Sequence, residues 1–175
     1  MTVAGVVGPR ILVLMGVSGC GKSSVAKILV DRLGWPFVEG DDLHPAVNVE
    51  KMRVGQPLTD EDRWPWLDKI AGWITEHSRN GDPGIVTCSA LRRVYRDRLM
   101  SPGVVFVHLH GPRGILLDRV QKREGHYMPP SLLDSQLNTL EPLQPDEQAI
   151  LVSIENKTNE EQAEEILRRL ELAPA

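Results

Sequence analysis

The stretch Ile11-Leu12-Val13-Leu14-Met15-Gly16-Val17-Ser18-Gly19-Cys20-Gly21-Lys22-Ser23-Ser24 decides how the rest of the chain is read. Five consecutive apolar residues describe a buried strand, and a glycine-rich turn follows at once. From Gly16 to Ser23 the order is Gly, four free positions, Gly-Lys and a hydroxyl residue, the pattern of a loop that cradles a polyphosphate. Glycines let the backbone curl so that successive N–H groups point inward. A following helix adds its own unpaired N–H groups and the positive end of its dipole. Glycine is about 7% of average sequence, so the fixed positions coincide by chance in well under about one chain in a hundred of this length. Gly16, Val17, Ser18, Gly19, Cys20, Gly21, Lys22, Ser23 and Ser24 are therefore candidate nucleotide-binding residues. Lys22 is placed to reach the β- and γ-phosphates and the Ser23 hydroxyl to ligate Mg²⁺.

Working outward, Ser24 to Leu33 carries apolar residues at helical spacing, closed by Gly34. Trp35–Glu39 reads as a short second strand whose end delivers Gly40-Asp41-Asp42-Leu43-His44-Pro45. In open α/β sheets ligands bind at such carboxyl ends. Pro45 suits a helix start, with His44 extended before it and helix expected over Ala46 to Met52. Thr59-Asp60-Glu61-Asp62 caps a long helix whose buried face holds Trp66, Leu67, Ile70, Trp73 and Ile74. Gly81-Asp82-Pro83-Gly84 ends it. Three more strands are expected at 85–88, 104–109 and 149–154. Helices are expected at 92–99, 112–124, 132–140 and 159–172, with Gly125 to Pro130 as a flap. Strands alternating with helices predict a five-stranded parallel sheet covered on both faces, a three-layer α/β/α domain over 1–175 with a loose tail at 1–9.

Composition narrows the function. The 175 residues are enough for one domain with a real core, and the formal charge of −4 argues against nonspecific nucleic-acid binding. Cys20 and Cys88 are the two cysteines and make no disulfide framework. Met1 to Arg10 is too short and too polar for a signal peptide, and no apolar run approaches about 18 residues. A soluble, cytoplasmic protein without membrane partners is the expectation.

A phosphate loop alone does not separate kinases, hydrolysing switches and motors, so the other polar groups must. An acid at Asp41 can hold Mg²⁺ through water or accept a proton from an attacking hydroxyl, whereas its neighbour Asp42 points elsewhere. His44, Lys51, Arg53 and Arg63 follow within a short span. They could bind a small hydroxylated anion, with cations for its carboxylate and Asp41 and His44 for its hydroxyl hydrogens. Arg119, Lys122 and Arg123 precede the flap, which could bring arginines onto a transferring phosphoryl group and exclude water.

Several motifs carry a resemblance in order and spacing: Gly16–Ser23, Gly40-Asp41-Asp42-Leu43-His44-Pro45, Asn48–Met52, Gly55–Arg63, Trp66-Leu67, Cys88–Arg92, Tyr95-Arg96-Asp97 and Gly125–Met128. From about Ile11 to Ile154 the chain resembles the gluconate kinase family. The resemblance implies a P-loop kinase with a lid, similar to shikimate kinase and nucleoside monophosphate kinases. It also implies ATP-dependent phosphorylation of D-gluconate to 6-phosphogluconate, and a homodimer. By position Asp41 would be the acid at the substrate hydroxyl; Lys22 and Arg123, read from the phosphate loop and the flap, complete the catalytic candidates. Arg119 would join the nucleotide site, Ser23 and Asp41 would hold Mg²⁺, and His44, Arg53, Arg63 and Arg92 would form the sugar-acid pocket. Arg92 stands where the family commonly has Lys, and Glu39 where it commonly has Asp. Two other readings stay open at this point: a kinase for another hydroxy acid such as shikimate, and a nucleotide-binding regulator without transfer activity.

Overall fold

The computed structural model describes residues 10–122 and 129–173. Five strands form one sheet in the order β2-β3-β1-β4-β5. They are β1 (Ile11–Met15), β2 (Phe37–Glu39), β3 (Gly84–Thr87), β4 (Val104–His110) and β5 (Ala149–Ser153). Every pairing is parallel, with Leu12 of β1 opposite Ile85 on one side and Val105 on the other. All five β1 residues are buried, which is what a central parallel strand requires and why its sequence does not alternate.

The helices are α1 (Lys22–Leu33), α2 (Ala46–Arg53), α3 (Asp60–Asn80), α4 (Arg93–Leu99), α5 (Arg113–Gln121), α6 (Pro130–Thr139) and α7 (Asn159–Arg169). They divide between the sheet's two faces. Leu12 and Leu14 pack with Val25, Ala26 and Leu29 of α1, Leu116 of α5, Leu133 of α6 and Ile166 of α7. Ile11, Val13 and Met15 pack instead with Trp66, Leu67 and Ile70 of α3 and Tyr95 and Leu99 of α4. The period-two alternation of β1 thus assigns its side chains to two cores.

Element ends follow local chemistry. The Thr59 hydroxyl accepts from the Asp62 N–H at 3.1 Å, and the Asp62 carboxylate accepts from the Thr59 N–H at 2.9 Å. Reciprocal bonding of this kind satisfies two of the helix's unpaired donors. Thr158 and Glu161 repeat the device at α7. Strand β2 is shorter than its apolar run suggests, because Pro36 has no N–H to give the ladder; its carbonyl still accepts from the Ile85 N–H at 2.9 Å. Gly40–Leu43, delivered at the end of β2, winds into one 3-10 turn. Among the described residues no helix is long and apolar enough to cross a membrane.

Candidate active site at the strand ends

The loop between β1 and α1 runs across the carboxyl end of the sheet. Gly19 has φ +86°, and a Cβ there would lie 2.9 Å from the Leu116 carbonyl oxygen of α5; only glycine fits both constraints. One turn along α5, Arg119 donates to the Gly19 carbonyl at 3.4 Å. Lys22 folds over the loop, its Nζ donating to the carbonyls of Gly16 at 2.8 Å and Val17 at 3.2 Å. From α6, Gln136 Oε1 accepts from the Ser18 N–H at 2.8 Å. The Gly16 N–H donates to the Ser89 carbonyl at 3.3 Å, tying the loop to the residues that follow β3.

The acid side is built at the ends of β2 and β3. A Cβ on Gly40 would lie 1.9 Å from the Thr87 carbonyl oxygen, so no side chain can stand there. The Gly40 N–H donates to Thr87 Oγ1 at 3.1 Å, Thr87 donates to Glu39 Oε2 at 2.5 Å, and Trp66 Nε1 donates to the Gly40 carbonyl at 2.7 Å. This bracing presents Asp41, the next residue, in an exposed position. Asp41 and Lys22 both lie within electrostatic reach of the Cys88 thiol, whose pKa burial pushes up to about 12. Acid and lysine therefore converge on one end of the sheet.

Beyond Asp41 lies a group of ring and charged side chains. His44 stacks on Trp66 at a 4.1 Å centroid distance and 16° between planes. Burial lowers its pKa; Asp41 partly opposes this and Arg63 adds to it. Asn48 Nδ2 lies 3.2 Å from His44 Nδ1 and donates to the Asp62 carbonyl at 2.8 Å. The Tyr95 hydroxyl donates to Asp60 and accepts from Arg63 at 2.9 Å. Arg92 reaches the other oxygen of Asp60 at 2.5 Å and Glu141 at 3.3 Å. The Tyr95 bond is the main cause holding the Asp60 carboxyl below its usual range. Arg63 and Arg92 lie 5.3 and 5.7 Å from the Tyr95 ring centroid, within cation–π range.

The whole arrangement has the parts of a phosphoryl-transfer site: donors for a polyphosphate, an acid at a strand end, and guanidinium groups for an anionic acceptor. A family model described as an AAA domain matches residues 11–143. A gluconokinase from Gluconobacter oxydans is 52% identical over 165 residues, 93% of this chain and 92% of that protein. The chain belongs to the gluconokinase family. Two solved structures agree with that assignment. A gluconokinase from Sinorhizobium meliloti is 44% identical with TM-score 0.83, over 93% of this chain and 92% of that one. A sugar kinase from Janibacter is 47% identical with TM-score 0.87, over 95% and 96% of the two chains.

In this gluconokinase-family chain Lys22, Ser23, Ser24 and Arg119 stand on or beside the phosphate loop. Asp41, His44 and Arg63 are electrostatic neighbours, and Arg63 and Arg92 meet at Asp60 and Tyr95. Arg53 is not brought to the others: it pairs with Glu50 at 2.5 Å with its side chain 68% exposed. Arg123 and residues 125–128 of the flap lie outside the described residues; Pro129 and Pro130 open α6. Sequence reading gave no role to Gln136, Asp60 or Tyr95. Tyr95 and Asp60 stood inside recognised motifs, so a signal was present, whereas Gln136 had only its place on the apolar face of α6.

Proposed function

We infer that this chain catalyses ATP-dependent phosphorylation of D-gluconate at the C6 hydroxyl, giving 6-phospho-D-gluconate and ADP. The observation that carries this reading is a phosphate loop facing an acid and an arginine cluster in a chain 52% identical to a gluconokinase. Loop N–H groups from Gly19 to Ser24, with Lys22 and Arg119, hold the polyphosphate. The 2.8 Å bond from Lys22 to the Gly16 carbonyl is exchanged for bonds to phosphate oxygens. Asp41 orients the C6 hydroxyl and accepts its proton as the oxygen attacks the γ-phosphorus. The bond from that phosphorus to the bridging oxygen breaks, and ADP leaves. Positioning and charge complementarity supply most of the acceleration in such a reaction.

The carboxylate of gluconate is assigned to Arg63 and Arg92, with His44 bonding a hydroxyl. Its lowered pKa keeps His44 neutral at physiological pH, so one ring nitrogen accepts while the other donates. Arg53, paired with Glu50 and 68% exposed, is left out of this pocket. Arg123 is assigned to the transferring phosphoryl group.

Magnesium fits as an ion carried by the nucleotide. Among the described residues no group of three or more His, Cys, Asp or Glu side chains could hold a metal. One hydroxyl at Ser23 and one carboxylate at Asp41 suit an ion that keeps its waters and phosphate ligands. Held by Ser23 and Asp41, such an ion would supply positive charge to offset the negative charge that develops on the transferring phosphoryl group. A cytoplasmic homodimer is the accompanying proposal, supported by the family resemblance.

A coupled ADP-release screen over D-gluconate, shikimate and glucose tests the reading. D-Gluconate is expected to give the highest kcat/KM, with glucose lower by about 100-fold or more, because a neutral acceptor offers no carboxylate to the partly exposed Arg63 and Arg92. Asp41→Asn is expected to lower kcat by about 100- to 10,000-fold. Equal efficiency with glucose would refute the pocket, and an active Asp41→Asn enzyme would refute the base.

A further inference from the structure

Helix α6 turns Leu133, Leu137 and Leu140 onto the core. Gln136 shares that face at helical spacing and is only partly exposed. A side-chain amide beside leucines is held where its polar atoms find partners. One end is accounted for by the Ser18 N–H, which donates to Oε1 at 2.8 Å across 118 positions of sequence. Ser18 lies at the middle of the phosphate loop. Lys22 reaches the same point from the other side, donating to the Val17 carbonyl at 3.2 Å. The loop is thus gripped at adjacent residues by a cation and by a neutral amide.

We propose that Gln136 is a contact to the terminal phosphate of the nucleotide. An amide fixed through its oxygen carries two N–H donors on its nitrogen. With Oε1 on Ser18, those donors are tethered to the same loop whose Gly16 and Val17 carbonyls Lys22 contacts. The Ser18 N–H is then occupied by Gln136, and the side-chain NH₂ takes its place as a donor to a γ-phosphate oxygen. ADP has no such oxygen, so the contact distinguishes nucleoside triphosphate from diphosphate. This assignment rests on the reading that the nucleotide lies on the Gly16–Ser24 loop.

Two substitutions separate this role from mere support of the loop. Gln136→Ala removes both ends of the amide. Gln136→Glu keeps an oxygen to accept from Ser18 but replaces the donors with negative charge. If the NH₂ meets the γ-phosphate, Gln136→Ala lowers kcat by about 10- to 100-fold, and Gln136→Glu lowers it at least about 10-fold further. The KM for gluconate moves little. Affinity for a non-hydrolysable ATP analogue, measured by calorimetry, falls about 10-fold or more while affinity for ADP is kept, with circular dichroism unchanged. Gln136→Glu as active as wild type, or more active than Gln136→Ala, overturns the proposal, because an acceptor alone would then suffice. Equal losses of ADP and analogue affinity also overturn it. Wild-type protein that binds neither nucleotide would refute the reading of the loop itself. Wild-type binding with variants indifferent to the γ-phosphate would refute only the assignment of Gln136.

Discussion

His108 sits on β4 with 6% of its surface exposed, its Nδ1 buried and unpartnered among the described residues. Burial is the main cause that lowers its pKa, to about 4, with His110, Arg96 and Lys22 adding positive charge nearby. A histidine that stays neutral in the fold but takes a proton in the unfolded chain favours unfolding as pH falls. The contribution begins near the ordinary value of 6.5 and is complete near 4. One pKa unit corresponds to about 1.4 kcal/mol, so lowering the pH from 7.5 to 5 should cost about 2 kcal/mol through this residue. His108→Leu is expected to remove that part of the pH dependence, seen as a smaller difference between urea midpoints at the two pH values. A variant whose stability falls with pH as steeply as wild type would exclude His108 as the source.

Helix α4 depends on one buried ion pair. Arg96 and Glu147 are 1% and 3% exposed, with Nε to Oε1 at 2.6 Å. The same guanidinium donates to the carbonyls of Ala90 at 2.8 Å, Leu91 at 3.2 Å and Glu141 at 3.0 Å. It therefore joins α4 to the turn after β3, where Ala90 takes φ +47°, and to the segment entering β5. Removing one partner leaves the other buried and uncompensated. Arg96→Met should lower stability by about 3–5 kcal/mol, whereas Arg96→Met with Glu147→Leu should recover the part due to the uncompensated carboxylate, the loss of bonds to the three carbonyls remaining. Equilibrium denaturation measures both, and a double variant no more stable than the single one would contradict the pairing argument. Arg92, the N-cap of this helix, reaches Asp60. A displaced α4 should therefore also raise the KM for gluconate in Arg96→Met.

At the scale of the whole molecule, β1 is shared by two cores, and the loop at its end meets α1, α5 and α6. A nucleotide bound there stabilises the folded chain by mass action. ADP at about 100 times its Kd should add about 2.7 kcal/mol, which for a domain of this size raises Tm by about 5–10 °C. Lys22→Ala leaves both cores intact and should lose most of that increase. Differential scanning calorimetry with and without ADP reads the difference directly. An undiminished shift in Lys22→Ala would mean that the lysine contributes nothing to diphosphate binding.

Local chemistry in the sequence was sufficient for the strand–loop–helix unit, the cap at Thr59, the strand-end placement of Asp41 and the alternation of strands and helices. Each of these depends on residues within a few positions of one another, where periodicity and turn chemistry act directly. The motif order from Gly16 to Met128 also pointed to the family to which the chain belongs. The strand order β2-β3-β1-β4-β5 came only from the tertiary structure. So did the Tyr95–Asp60 contact, the burial of Arg96 with Glu147, and the grip of Gln136 on Ser18. Arg63 and Arg53 show the difference at single positions. Both are arginines in the same motif-rich span, yet one is packed against Tyr95 and the other is paired with Glu50 at the exposed end of α2. The Arg53–Glu50 pair spans three positions of one helix. The contacts of Arg63, Arg96 and Gln136 instead join residues tens of positions apart, and no local pattern records which partner the folded backbone will bring within reach.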